Sequence, residues 1–338
     1  MRTSASFGLT LPNRGVALGV FTTGQLLDLA EAAESSGLMD HVWVGDSILS
    51  KPRLEAIALL GALAARTKRV MLGVGCMATI VQRHPVLFAL QWASLDVISN
   101  GRMLLAACLG YPGGQTPAAA HELQVMGVES KDRPRRFIEM IDALRLLWSD
   151  PHATYRGRHY AFENVDLQPK PVQQPCPIWI ASNPSEQTIG KEGVERALRR
   201  VGEYGDGWMT TIVAPDAFRT RWARVKEHAR AAGRDPDRLK SCLYFNLNVQ
   251  SDVERGFRES KEFLDAYYGS NFDKWFVDAW TAYGPLDTCV AKIQSYIDAG
   301  FDMITIRLTA WDQAAQYRIY TQDVLPALRA KALSHQPL

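Results

Sequence analysis

Between His41 and Gly114 the chain reads as strand, helix, strand, helix, strand, and each strand ends in small or polar residues. The strands are HVWVGDS (41–47), RVMLGVGCM (69–77) and GRMLLAACLGY (101–111), the last entered from the helix PVLFALQWASLDVIS through the turn Asn100-Gly101. Short, nearly continuous apolar runs suit strands buried on both faces, and helices between them force the strands parallel. Ligands of such folds sit at the carboxyl ends of the strands. The chemistry is therefore expected near Asp46, Gly75-Cys76 and Leu109-Gly110.

The same alternation continues in both directions. Further strands are predicted over Ser6–Leu11, Pro177–Ser182, Gly207–Ile212, Ser241–Val249 and Met303–Leu308. Helices are expected over 23–36, 55–66, from Pro85, and over 135–148, 192–204, 217–232, 253–268, 293–299 and 313–333. Proline at the first turn and glycine just past the end mark several of them. Eight strands alternating with helices predict an α/β protein, a (β/α)8 TIM barrel built as one domain from residues 1–338. Two insertions interrupt it. After strand four, a run of polar and small residues precedes the helix at Arg135, and a hairpin over Tyr155–Phe162 follows. After strand seven comes an aromatic segment with Phe272, Trp275, Phe276, Trp280 and Tyr283. Long connections in a compact fold are usually lids or binding loops.

Composition narrows the function. With 47% hydrophobic and 22% charged residues the chain can bury a large core, and a net charge of +2 is too small to imply nucleic acid. Five scattered cysteines without a CxxC pair argue against a disulfide framework or a zinc site and fit a reducing cytoplasm. The segment MRTSASFGLTLPN has no apolar signal core, and no run reaches the roughly 18 residues that span a bilayer. A cytoplasmic protein acting on a small molecule, with neither nucleic acid nor membrane as partner, is the expectation.

Several segments in order, FGLTLP, LAEAAESSGLMDHVWVGDS, RVMLGVGCM, RHPVLFALQWASLDVISNGRMLLAACLGYPG, KDRPRRFIEMIDALRLLW, RGRHYAFENVDLQPKPVQQPCPIWIAS, GDGWM and GPLDTCVAKIQSYIDAGFDMITIRL, resemble the bacterial luciferase-like family of flavin- and deazaflavin-dependent oxidoreductases. The resemblance implies that Gly75-Cys76, with Met77 beside it, forms a bulge with a non-proline cis peptide pressed against the cofactor ring. It implies that Leu109-Gly110-Tyr111 runs along that ring, and that Ser182-Asn183 and the segment reaching Gly190 hold the cofactor phosphate. Tyr111 could equally cover the barrel end, and Cys108 could be packing or contact. The run Gly73 to Ala78 also fits GxGxxA, but no helix opens off it, so a Rossmann site is set aside.

Asp46 is the best candidate for a catalytic group. It could bind a ring N–H, orient a polar group or transfer a proton, or it could cap a turn. Ser47 follows it where many relatives carry histidine. Arg83 and His84 read as residues that start a helix, Arg307 as an anion partner or a packing residue, and His121-Glu122 lacks the second histidine of a zinc motif. The leading expectation is an FMN-dependent two-component monooxygenase: reduced FMN comes from a separate flavin reductase, and oxygen attacks a small aldehyde, ketone or sulfur compound. The alternatives are a hydride-transferring oxidoreductase that uses the deazaflavin F420, and a non-catalytic flavin-binding protein. A homodimer is implied by the resemblance.

Overall fold

Large rings on some strands and glycines on their neighbours decide how this barrel closes. The computed structural model describes residues 5–110 and 116–334. The chain begins β1 (Ser6–Thr10), α1 (Arg14–Ala17), α2 (Thr23–Ser35), β2 (His41–Val44), α3 (Ala56–Arg66), β3 (Met71–Met77), α4 (Pro85–Ser99) and β4 (Met103–Ala107). The first insertion carries α5 (Pro117–Val125), α6 (Arg133–Ser149) and an antiparallel hairpin, β5 (Ala153–Arg156) with β6 (Ala161–Val165). The barrel resumes with β7 (Ile178–Ala181), α7 (Glu186–Tyr204), β8 (Gly207–Thr210), α8 (Pro215–Ala231) and β9 (Lys240–Val249). Then come α9 (Val253–Tyr268), α10 (Lys274–Trp280), β10 (Thr281–Gly284), α11 (Leu286–Ala299), β11 (Met303–Leu308), α12 (Gln313–Ile319) and α13 (Leu325–Ser334).

Eight parallel strands close in the order β1-β2-β3-β4-β7-β8-β9-β11. The aromatic insertion adds a ninth strand that period and composition did not reveal. On one edge β9 pairs with β8 at Lys240–Leu243 and with β10 at Asn246–Val249. Four residues suffice for β10 because a ready-made edge is left where the shorter β8 stops. The predicted helix over 313–333 also breaks, passing through a π-helical turn at Tyr320–Val324. Pro326 has no N–H to offer the carbonyl one turn back.

Local signals place α2 and α4 as expected, whereas α1, α5 and α10 were not foreseen and α7 and α11 begin six and seven residues before the expected starts. Thr22 and Gln25 form a capping box at the start of α2. Pro85 opens α4, and Asn100 (φ 60°) with Gly101 (φ 76°) ends it.

Inside the barrel, β2 contributes His41 and Trp43 and β7 contributes Trp179. Their neighbours β1, β3 and β8 answer with Gly8, Gly73 and Gly207. A Cβ on Gly73 would lie 2.2 Å from Trp43, and one on Gly207 2.4 Å from Trp179. His41 is fully buried, and its Nδ1 accepts the Trp43 indole N–H at 2.8 Å. Burial pushes the imidazole pKa down to about 3. The folded chain therefore keeps His41 neutral, while the unfolded chain protonates it below its ordinary pKa near 6.5. That contribution to stability is complete above pH 6.5 and lost as pH falls toward 3. Unfolding in urea is expected to show about 2 kcal/mol less stability from this group at pH 5 than at pH 7. The slope should vanish in His41→Gln; an unchanged slope would refute the assignment.

Candidate functional site

The strand ends meet at one mouth. At β3 the Gly75–Cys76 peptide is cis, and the register against β4 shifts between Gly75 and Met77. Gly75 is buried facing the barrel axis, where a Cβ would lie 3.1 Å from Met209 Sδ and 3.3 Å from Trp43. The bulge leaves Cys76 half-buried and turns Met77 fully into the core. At β4, Leu109 and Gly110 are also half-buried. The Leu109 carbonyl accepts from Arg133 Nη1 at 3.0 Å. Gly110 adopts φ 72°, and a Cβ on it would meet the Ala78 carbonyl at 3.2 Å. The two neighbouring strand ends thus present main chain and small groups side by side. Tyr111 lies outside the described residues.

The fold brings together two cysteines that spacing had left apart. Cys76 Sγ and Cys108 Sγ are 2.6 Å from each other. Contact with Cys108, reinforced by burial, pushes the Cys76 thiol well above its ordinary range, so it is neutral at pH 7. Among the described residues no cluster of His, Cys, Asp and Glu could hold a metal ion.

Asp46 is held on both carboxylate oxygens. Oδ2 accepts from the Thr79 N–H at 2.8 Å and the Thr79 hydroxyl at 2.7 Å, and Oδ1 from Arg83 Nη2 at 3.2 Å. Burial raises the Asp46 pKa, opposed by Arg83 and the Thr79 hydrogen bonds. The carboxylate therefore ties the end of β2 to the turn that follows the β3 bulge. Arg83 completes this network, while His84 occupies the N-cap position of α4, exposed and without a side-chain capping bond.

Ser47 and Glu122 organise the next turn. One Glu122 oxygen accepts the backbone N–H groups of Ile48, Leu49 and Ser50 at 3.0, 2.6 and 2.8 Å, and the Ser47 hydroxyl at 3.2 Å. Burial raises its pKa, but the Ser50 and Leu49 N–H groups, with Gln82 and Ser47, outweigh this and hold it below the usual carboxylate range. Converging amides of this kind form an anion nest. Glu122 thereby fixes residues 47–51 from a helix 70 residues away in sequence. No motif pointed to this role.

At β7 the Ser182 N–H is already committed to the Met209 carbonyl at 2.9 Å, and the Ser182 carbonyl accepts from the Trp208 indole. Asn183 is exposed and its Oδ1 accepts from the Thr210 hydroxyl at 3.4 Å, so the Ser182 hydroxyl and the Asn183 amide N–H groups are left to face a ligand. Gly190, at φ 66°, breaks α7 just beyond them.

Around the barrel from β7, Arg14, Lys51 and Arg53 follow β1 and β2, and Arg307 lies in β11. Arg307 is only 2% exposed and ringed by Tyr244, Tyr267, Tyr268 and Trp280. The sequence singled out Arg307 but not its three companions: Arg14 opens the short α1, and Lys51 and Arg53 lie in the loop after β2, with no pattern in common.

The luciferase-like monooxygenase family matches residues 5–303. The chain belongs to that family. An F420-dependent glucose-6-phosphate dehydrogenase from Nakamurella multipartita is 27% identical to this luciferase-like chain, aligned over 92% of it and 94% of the relative. One from Amycolatopsis mediterranei is also 27% identical, over 92% and 96%. The solved structure of an F420-dependent secondary alcohol dehydrogenase in complex with an F420-acetone adduct shares the fold with a TM-score of 0.79 at 21% identity, covering 97% of this chain and all of that one.

These relatives correct the expectation of a two-component monooxygenase fed with reduced FMN. Both of these sequence relatives are named for F420 and for dehydrogenation, so neither FMN as cofactor nor oxygen as oxidant stands. The expectation went astray because Gly75, Cys76, Leu109 and Gly110 bring mainly main chain to the mouth, and main chain does not by itself tell a flavin from a deazaflavin.

Proposed function

We propose that this chain is an F420-dependent oxidoreductase that moves a hydride between the deazaflavin and a small organic substrate. The observation that carries the reading is the end-to-end similarity to F420-dependent dehydrogenases. The mouth supports it: the neighbouring ends of β3 and β4 present main chain at Gly75-Cys76 and Leu109-Gly110, the kind of surface a flat ring packs against.

When bound, the deazaflavin supplies a ring carbon that accepts or returns a hydride. Main chain at Gly75-Cys76 and Leu109-Gly110 would support the ring, and Met77 packs behind the bulge. The Ser182 hydroxyl and Asn183 amide offer hydrogen bonds to the phosphate. Asp46 acts as a positioning residue, because both its oxygens hold the Thr79 turn and Arg83. The aromatic insertion covers the mouth and excludes water, with Phe272, Phe276 and Trp280 packed in series onto Tyr268. A deazaflavin that takes its hydride from the substrate would need no separate flavin reductase. A homodimer is supported by the apolar face of α4, where Leu87, Leu90, Val97 and Ile98 stand exposed.

Titrating the protein separately with F420 and with FMN tests the reading. Retention of F420, followed by loss of its absorbance when an alcohol or sugar substrate is added without oxygen, is the expected result. Retention of FMN alone, or turnover that requires oxygen, would refute it.

A further inference from the structure

Four cationic side chains from three strand ends gather around one pair of tyrosines. Tyr267 and Tyr268 close α9. Lys51 Nζ lies 4.9 Å from the centre of the Tyr268 ring, and Arg53 Cζ lies 6.0 Å from that of Tyr267. Arg307 Cζ is 4.6 Å from Tyr267 and 5.2 Å from Tyr268. The Arg14 backbone N–H donates to the Tyr267 hydroxyl at 3.3 Å. Gly45 makes room for the group, since a Cβ there would lie 2.1 Å from Arg53 Nη1.

The three guanidinium charges of Arg14, Arg53 and Arg307 are poorly compensated among the described residues. Among the described residues no carboxylate lies within 4 Å of the Arg14, Arg53 or Arg307 guanidinium. Buried Arg307 gives Nη1 to the Tyr268 hydroxyl but leaves Nε without a partner, and Arg14 leaves Nε and Nη1 without one. Aromatic faces return less to each cation than it costs to bury like charges together. Burial, then Arg53 and Arg14, pushes Lys51 down to about 8, and burial with Arg53 pushes Arg307 well below its ordinary range. An arrangement of this kind is stable when an anion completes it.

The cluster stands apart from the proposed cofactor phosphate. In the ring β1-β2-β3-β4-β7-β8-β9-β11, β7 is diametrically opposite β1, and the cluster belongs to β11, β1 and β2. The surface at the ends of β3 and β4 lies between the two. The geometry points to an oxyanion subsite for the substrate, in which Arg14, Lys51, Arg53 and Arg307 seat the carboxylate or phosphate of an anionic substrate beside the ring. The position of the ring rests on the F420 reading; binding of the anion does not.

Calorimetric titration of the full chain with inorganic phosphate and, separately, with malonate tests this, alongside F420 titration of the same variants. At least one oxyanion is expected to bind, and the tighter one tells phosphate ester from carboxylic acid. Arg307→Met should weaken that binding by about tenfold or more while F420 affinity stays within about twofold. Lys51→Gln and Arg14→Gln, both at half-buried positions, should each weaken it and carry the test if Arg307→Met does not fold. Absence of oxyanion binding, or variants that bind like the wild type, would overturn the subsite. An equal loss of F420 affinity would also overturn it, by giving the cations to the cofactor. Oxyanion binding without any F420 binding would retain the subsite and remove the proposed reaction.

Discussion

Gly75→Trp is expected to abolish F420 binding while leaving the barrel folded. The Cβ would already stand 3.1 Å from Met209 Sδ, 3.2 Å from Met209 Cε and 3.3 Å from Trp43, so an indole cannot go inward. The indole is expected to turn outward instead, across the surface proposed to carry the ring. Weakening of more than about 100-fold, or roughly 2.7 kcal/mol, is expected in a fluorescence titration. Gly75→Ala separates this from general damage. Its single methyl meets the flexible end of Met209, which can move by a few tenths of an ångström, so affinity should fall far less. Wild-type affinity in a folded Gly75→Trp variant would remove the ring from this place.

Gly8→Ala is expected to cost the fold more than any other single methyl group discussed. Gly8 pairs with His41 across β1 and β2. A Cβ on it would lie 1.9 Å from His41 Nδ1 and 2.2 Å from the His41 carbonyl oxygen. The ring cannot leave without breaking its hydrogen bond to Trp43, and the carbonyl belongs to the strand backbone. Overpacking of this severity should exceed about 3 kcal/mol and leave the variant largely unfolded or insoluble. Adding His41→Ala should recover part of the loss, because it relieves the imidazole contact and not the carbonyl contact. Urea unfolding of both variants checks this; a Gly8→Ala protein as stable as the wild type would contradict the register.

The barrel was legible because its strands are short apolar runs and its helices carry their own start and stop signals. Pro85 at the head of α4 and Asn100-Gly101 at its end act within a few residues of the feature they fix. The strand β10 was hidden for the opposite reason. Thr281–Gly284 has too few residues to show a period, and only the unpaired half of β9 makes it a strand. The site divides in the same way. Asp46, Gly75, Cys76, Leu109, Gly110, Ser182 and Asn183 could be named because they follow strands. Their partners could not: Asp46 is held by Thr79 and Arg83, residues 48–50 by Glu122, and Cys76 stands against Cys108.

By itself the sequence determined the alternation of strands and helices, the end of the barrel at which polar groups collect, and the family. These depend on local propensity and on the order of segments along the chain. Only the tertiary structure decided that His41 sits neutral over Gly8, that Glu122 fixes a distant turn, and that four cations share one pair of tyrosines. Contacts of that kind join residues tens to hundreds of positions apart, and their energies depend on burial and distance, which no local pattern of side chains encodes.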